Sequence, residues 1–240
     1  MKNLSVFFIL LILSIILISC RNTNDNRIFN SDNMQKLILL LFTSIILSTL
    51  SYGQNELELY KRIYKTADSL KTIGKLNSID TTTLFANVKL LDKKHPSGYL
   101  EASGEYITKS KFNEAAFLYY LGLMRFRYYN SANPKYQANN DGALLGSLKY
   151  VLGDPINMYL RTDIDNFISI VKLTTSYYNN NDYKYFSKAK NIEKFNAQLK
   201  SYNDLILDLE TNKEKYKAQW DSERIKMEEK IDMLISEQKK

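Results

Sequence analysis

The sequence predicts an all-α fold: antiparallel helical hairpins followed by a long C-terminal helix or helix pair. Three observations carry this. From Asn55 onward apolar residues recur at spacings of three and four, no stretch alternates convincingly with period two, and after Pro155 neither glycine nor proline interrupts the chain. The first pattern makes helix faces, the second removes the signature of half-buried strands, and the third leaves a tail free to stay helical.

Over 55–76, Leu57, Tyr60, Ile63, Tyr64, Ala67, Leu70 and Ile73 form one face of an amphipathic helix. The pattern breaks over 79–83 and resumes at Leu84, Val88 and Leu91 as a short helix that ends before Pro96. Between 98 and 129, Tyr99, Ala102, Ser103 and Tyr106 share a face. Lys109-Ser110-Lys111 makes a polar turn, and Phe112, Ala115, Tyr119, Gly122 and Leu123 line the next helix. Small residues meet large ones, which predicts a helical hairpin. Gly122 lets another helix approach closely, and Arg125, three residues on, can send its fork to a carboxylate or to carbonyls at a turn.

The segment Asn130 to Asn140, with Pro134, reads as a mobile loop. Gly142 and Gly146, four apart between polar flanks, predict a tight helix crossing. Asp154 and Pro155 predict an N-cap and first turn, and Thr162 with Asp165 a capping box opening a helix from Ile164 to Tyr178. In the tail, Phe195, Leu199, Tyr202, Ile206, Leu209, Tyr216, Trp220, Met227, Ile231 and Leu234 make a stripe at helical spacing. The stripe thins beyond Thr211, where charged pairs such as Lys217 with Asp221 and Arg224 with Glu228 take over, so the last helix is expected to project or to fold back.

The residues of the hairpin also carry a resemblance. Tyr99, Tyr106, Phe112, Ala115, Tyr119 and Gly122 fall where the tetratricopeptide repeat places its aromatic and small residues, so 98–129 resembles one such repeat. Ser103 stands where the family has glycine, and Arg127 where it has its closing proline. Since about three stacked repeats are needed to bury a continuous core, the resemblance implies one hairpin and not an array. The string from Tyr119 to Asn157 is similar to a group of small bacterial proteins that share Tyr-Leu-Gly-Leu-Met-Arg followed by Gly-Asp-Pro-Ile-Asn. It implies that Tyr120, Gly122, Arg125, Asp154, Pro155 and Asn157 belong to one structural unit.

Ahead of this body stand two export signals. Met1 to Asn3 is a cationic start, Leu4 to Ile16 an apolar core, and Leu17-Ile18-Ser19-Cys20 resembles the lipobox of bacterial lipoproteins, with Cys20 the lipidation candidate. Met34-Gln35-Lys36 starts again, Leu37 to Leu50 is apolar, and Ser51-Tyr52-Gly53 makes a cleavage candidate between Gly53 and Gln54. Each apolar run is shorter than the ~20 residues of a comfortable span. Three readings are open: Met34 is the working start and 1–33 an extended start, Cys20 is the anchor, or both stretches insert. The organisation expected is a lipoprotein-type signal and Asn-rich spacer (or extended start) over 1–33, a second signal or membrane segment over 34–53, a helical domain over 54–206 and a charged helical extension over 207–240. Export to the periplasm or to a membrane-anchored envelope position in a Gram-negative bacterium follows as the expected localisation. The membrane is contacted through the N-terminal segment if that segment is uncleaved or lipidated.

Composition narrows the chemistry. The net charge is +7, but most Lys and Arg are interleaved with Glu and Asp, the pattern of a solvated surface and not of a nucleic-acid face. The only cysteine is Cys20, so the body has no thiol nucleophile or disulfide, and the only histidine, His95, sits in the turn-like string Lys93-Lys94-His95-Pro96. Structural zinc of the Cys/His kind is thereby excluded, and no phosphate loop, nucleophile elbow or calcium loop is present. No cofactor is implied. Three classes remain: an exported interaction module for an envelope protein or peptide, a carboxylate-dependent hydrolase using Glu101, Glu105 or Glu114, and a periplasmic toxin-neutralising protein. The residues put forward for partner contact are Tyr99, Tyr106, Tyr119, Tyr120, Arg125 and Trp220.

Overall fold

The computed structural model describes residues 56–237, and within them all regular structure is helical. Helix α1 spans 56–72, α2 Thr81–Leu91, α3 Ser97–Thr108, α4 Phe112–Ala132, α5 Ala143–Leu160, α6 Ile164–Asn180, α7 Ile192–Thr211 and α8 Lys213–Glu237. A π-turn, Ala138–Gly142, leads into α5 and a 3-10 turn, Lys188–Lys190, precedes α7. The all-α expectation holds. The segments expected to act as export signals, with Cys20, Gly53 and Gln54, lie outside the described residues. No described helix is long and apolar enough to cross a membrane.

Local sequence accounts for most boundaries. Asp80 caps α2 by accepting the Thr83 N–H at 3.1 Å, Asp163 caps α6 through Asn166 at 2.9 Å, and Asn191 caps α7 through Lys194 at 3.0 Å. The turn after α1 uses Gly74 at φ +66°, where the Lys75 N–H reaches back to the Leu70 carbonyl at 2.8 Å. The turn after α3 places a non-glycine residue, Ser110, at φ 56°. That backbone region is costly for a residue with a Cβ.

Helix α4 is the centre of the fold. Fifteen of its 21 residues are buried, on all its faces, because α3, α5, α6 and α7 surround it. Helices α3 and α4 run antiparallel: Tyr99 meets Gly122, and nearer the turn the Ser103 hydroxyl donates to the Ala115 carbonyl at 2.8 Å. A methyl group on Gly122 would lie 2.8 Å from Tyr99 Cβ, so the close approach expected of this glycine is what it provides.

Elsewhere the structure departs from the sequence reading. Gly146 has nothing within 4 Å of a virtual Cβ, and at Gly142 the neighbour is the Tyr136 hydroxyl, so no helix crosses there. The first half of α5 faces solvent instead, with Tyr150 at 76% exposure. Pro155 does not start a helix but sits inside α5. Its ring is buried, and the helical bond it removes is the one to the carbonyl of Val151, four residues back. Thr162 donates to Tyr159 O at the end of α5, leaving Asp163 as the cap of α6. The mobile loop shrinks at both ends, to the continuation of α4 through Ala132 and to the π-turn. The tail forms two helices that meet at Asn212, and the second folds back on the body through Trp220 and Ile231.

Candidate binding cleft and the buried polar nodes

A cleft of about 310 Å³ opens between α1, α5 and α8. Helix α1 contributes Tyr60 and Tyr64, α5 contributes Asp154, Asn157 and Met158 with Arg161 just past its end, and α8 contributes Trp220, Glu223, Arg224 and Met227. Trp220 is held rather than hanging: it stacks on Tyr216 at 5.3 Å and lies 6.0 Å from the Phe167 ring. Both arginines of the rim are already paired. Arg161 lies 3.4 Å from Glu223, and Arg224 binds Asp68 at 2.7 Å and Glu228 at 2.9 Å, with its guanidinium 4.8 Å over the Tyr64 ring. The bond to Asp68 comes first among the influences that raise the Arg224 pKa further. Burial raises the phenols of Tyr60 and Tyr64, which therefore stay neutral donors.

Of the six residues proposed for partner contact, only Trp220 lines this cleft. Tyr119 and Tyr120 line a shallower groove with Arg127 and Tyr202, and the Tyr120 hydroxyl donates to Asn157 at 3.1 Å. That bond joins the two halves of the string from Tyr119 to Asn157. Tyr106 is half-buried, its hydroxyl accepting from Asn87 at 3.0 Å.

Tyr99 and Arg125 are interior groups, both at 0% exposure, and offer nothing to a partner without opening the core. Their partner is Asp92, at the end of α2, which the sequence reading passed over. Tyr99 donates to its Oδ1 at 2.5 Å and Tyr177 to its Oδ2 at 2.9 Å. Arg125 Nη2 lies 3.5 Å from Oδ1 and donates to the Asn181 carbonyl at 2.6 Å. Tyr178 and Tyr183 sandwich the guanidinium at 4.9 and 5.1 Å. The only advance sign of this was an aspartate on the apolar side of a short helix, next to Leu91.

A second buried node centres on Asn113. Its amide donates to the carbonyls of Leu76 and Ser78 at 2.6 and 2.9 Å, and its oxygen accepts from Tyr159 and Asn166 at 3.0 and 2.9 Å. One side chain thus ties the α1–α2 connection to α4, α5 and α6.

His95, in the turn-like string, is half-buried. Its Nδ1 accepts the Ser97 N–H at 3.3 Å and contacts the Ser97 hydroxyl at 3.1 Å, while Nε2 faces Asp141 of the π-turn at 3.5 Å. Phe126, Tyr129 and Tyr185 box the ring. The Ser97–His95–Asp141 order looks like a proton relay, yet the serine is two residues away on the same turn. The amides that follow it are spent, Gly98 on His95 O and Tyr99 on Pro96 O, so no donor pair awaits an oxyanion. The imidazole accepts the first amide of α3, that of Ser97.

Glu101 and Glu105 lie exposed on α3 and Glu114 in the first turn of α4; none lines the cleft. Among the described residues no three His, Cys, Asp or Glu side chains converge as a metal site. No protein-family model, curated protein or solved structure matches the chain.

Proposed function

We propose that this is an exported binding protein of the cell envelope that takes a peptide or protein segment into the α1–α5–α8 cleft. The observation that carries the reading is the make-up of that cleft. Two methionines, two tyrosines and a tryptophan supply adaptable apolar surface, and both rim arginines are paired with carboxylates of this chain. A hydrolytic site would require two acids converging on one bond with separated proton affinities. The acids here, Asp154 and Glu223, stand among arginines and aromatics in the manner of a recognition rim. The similarity of 98–129 to a single tetratricopeptide hairpin adds support, as does the pair of export signals.

Trp220 is the only tryptophan and lies in the cleft, so its fluorescence reports occupancy directly. A defined peptide library is screened for a shift in Trp220 emission, and hits are re-measured with Met158→Lys and Tyr60→Ala. Loss of both the shift and the affinity in these variants is the expected result. Binding that leaves the emission and both variants unchanged would remove the cleft from the proposal.

A further inference from the structure

Helix α8 is joined to α7 by one residue. Asn212 adopts φ −104° and ψ 20°, and the i to i−4 hydrogen bonds persist on either side: the Asn212 N–H reaches Asp208 O at 2.9 Å and the Tyr216 N–H reaches Asn212 O at 3.0 Å. What holds the bend is side-chain chemistry at the surface. Asn212 Nδ2 donates to Asp208 Oδ1 at 2.8 Å, and the Tyr216 hydroxyl donates to Asp208 Oδ2 at 2.7 Å. No glycine or proline lies between Pro155 and the end of the chain, so nothing covalent enforces the break.

The helix beyond the bend is lightly attached. Of its 25 residues only Trp220 and Ile231 are buried, eleven apart and so on one face, with Arg224 and Met227 between them. Otherwise α8 is held by ion pairs with the body: Lys213 to Asp165 at 2.6 Å, Glu223 to Arg161 at 3.4 Å, Arg224 to Asp68 at 2.7 Å and Asp232 to Lys61 at 3.1 Å. These are exposed, alternate in sign along the helix and are screened by salt. They fix which helix fits and in which register more than they bind it tightly.

We infer that α8 is exchanged between two copies of this chain: Asn212 becomes helical, α7 and α8 fuse into one helix over 192–237, and each body receives the other copy's α8. Straightening swings α8 away along the axis of α7, by up to its own length of roughly 37 Å, and bares the surface of Tyr64, Met158 and Phe167. The groove left behind is complementary to one known ligand, an α8, in both its apolar anchors and its four charge pairs. A second copy supplies that helix, and the reciprocal exchange closes as a two-fold dimer with no new surface required. The inference goes beyond the binding reading and does not depend on it. In the dimer, each cleft is lined by Trp220 and Arg224 from the other chain.

The test uses full-length chain in detergent, with Cys20→Ser throughout, and compares Asn212→Ala with Asn212→Gly by sedimentation equilibrium. Alanine favours the straight helix and glycine opposes it, once in each chain. The dimer dissociation constant is therefore expected to tighten about ten-fold for Asn212→Ala and to weaken about three-fold for Asn212→Gly. Chains carrying only Asp68→Cys are then mixed with chains carrying only Arg224→Cys and treated with a short bismaleimide; cross-linked heterodimers are expected. The inference is overturned by a self-association constant that both Asn212 variants leave unchanged, by a chain that stays monomeric in all three forms, or by dimers in which Asp68→Cys and Arg224→Cys cross-link only when placed in the same chain.

Discussion

The same substitution, glycine to alanine, should have opposite consequences at two positions of this fold. At Gly122 the added methyl would sit 2.8 Å from Tyr99 Cβ, 3.1 Å from Leu100 Cδ2 and 3.2 Å from Leu100 Cγ. Carbon atoms rest at about 3.5–4.0 Å, so the worst contact is short by roughly 0.7 Å or more. Tyr99 cannot swing aside, because the clashing atom is its Cβ and its hydroxyl is tied to Asp92. Helix α3 must therefore shift off α4, which places the overpacking penalty toward the upper end of the usual ~1–3 kcal/mol. The gain from removing a mid-helix glycine, about 1 kcal/mol, offsets part of it. The net expectation for Gly122→Ala is a loss of about 2 kcal/mol, or roughly 4–8 °C in Tm for a domain of this size. At Gly146 nothing lies within 4 Å, so only the helix-propensity gain operates, and Gly146→Ala should add about 1 kcal/mol. Urea unfolding followed by far-ultraviolet circular dichroism reads both. A Gly122→Ala protein as stable as the parent would refute the close α3–α4 approach, and a destabilised Gly146→Ala would mean that another surface covers the start of α5.

Arg125→Ala removes the cation beside buried Asp92 and should cost about 3–5 kcal/mol, measured by the same unfolding assay. A loss below about 1 kcal/mol would show that the two tyrosines suffice for the carboxylate. At alkaline pH the phenols act together. Burial raises Tyr99, Tyr120, Tyr159, Tyr178 and Tyr183 above the ordinary value and pushes Tyr202 up to about 12. The folded state thus keeps protons that the unfolded chain releases near pH 10, and stability, complete below pH 10, falls as pH rises past it. Phenolate absorbance and helix loss should coincide; free titration near pH 10 with helix intact would contradict the burial. Ser110→Gly relieves a left-handed residue in the α3–α4 turn and should stabilise by about 1 kcal/mol, read as an increase in urea midpoint.

How much was legible follows from what each element depends on. Helix existence in the body depends on local periodicity, and the stripes over 55–76, in α2 and in the tail marked their helices. The hairpin of α3 and α4 was readable because small residues at 103, 115 and 122 let the two helices approach, Gly122 against Tyr99 and Ser103 against Ala115. Two errors have one cause. Gly142, Gly146 and Pro155 were given the meaning these residues usually carry, but the first half of α5 emerges from the body, where a glycine needs no neighbour, and the helix runs on through its proline. Asp92, Asn113 and the His95 contact escaped because a buried polar side chain is defined by partners distant in sequence, as in Asn113 to Leu76 and Asp92 to Tyr177, or by one turn's geometry, as in His95 to Ser97. The cleft was unreadable for a further reason: it exists only because α8 folds back, and the thinning stripe allowed either projection or return.

The 18 tyrosines of this chain can be written off as codon bias only if their hydroxyls are idle, and inside this domain many are not. Tyr99 and Tyr177 hold Asp92, Tyr128 donates to Ser187 O at 2.8 Å, Tyr183 to Lys94 O at 2.7 Å and Tyr159 to Asn113 at 3.0 Å. Each joins a helix or loop to a segment more than 40 residues distant in sequence, or, for Tyr99, anchors the carboxylate on which others converge. A phenylalanine at these sites would bury similar area but leave an acceptor unsatisfied, at a cost of about 1–3 kcal/mol when the acceptor has no other partner. The Arg125 node follows the same logic at higher stakes. Its Nε and Nη1 have no acceptor among the described residues, so the group is costly to bury and contributes specificity more than net stability. What it specifies is the meeting of α2, α4 and the α6–α7 connection at one carboxylate and one carbonyl. A packing in which α4 is rotated or slipped by a turn strands that cation in apolar surroundings, which is why a domain whose helices are otherwise interchangeable cylinders of Leu, Ile and Tyr settles on one arrangement.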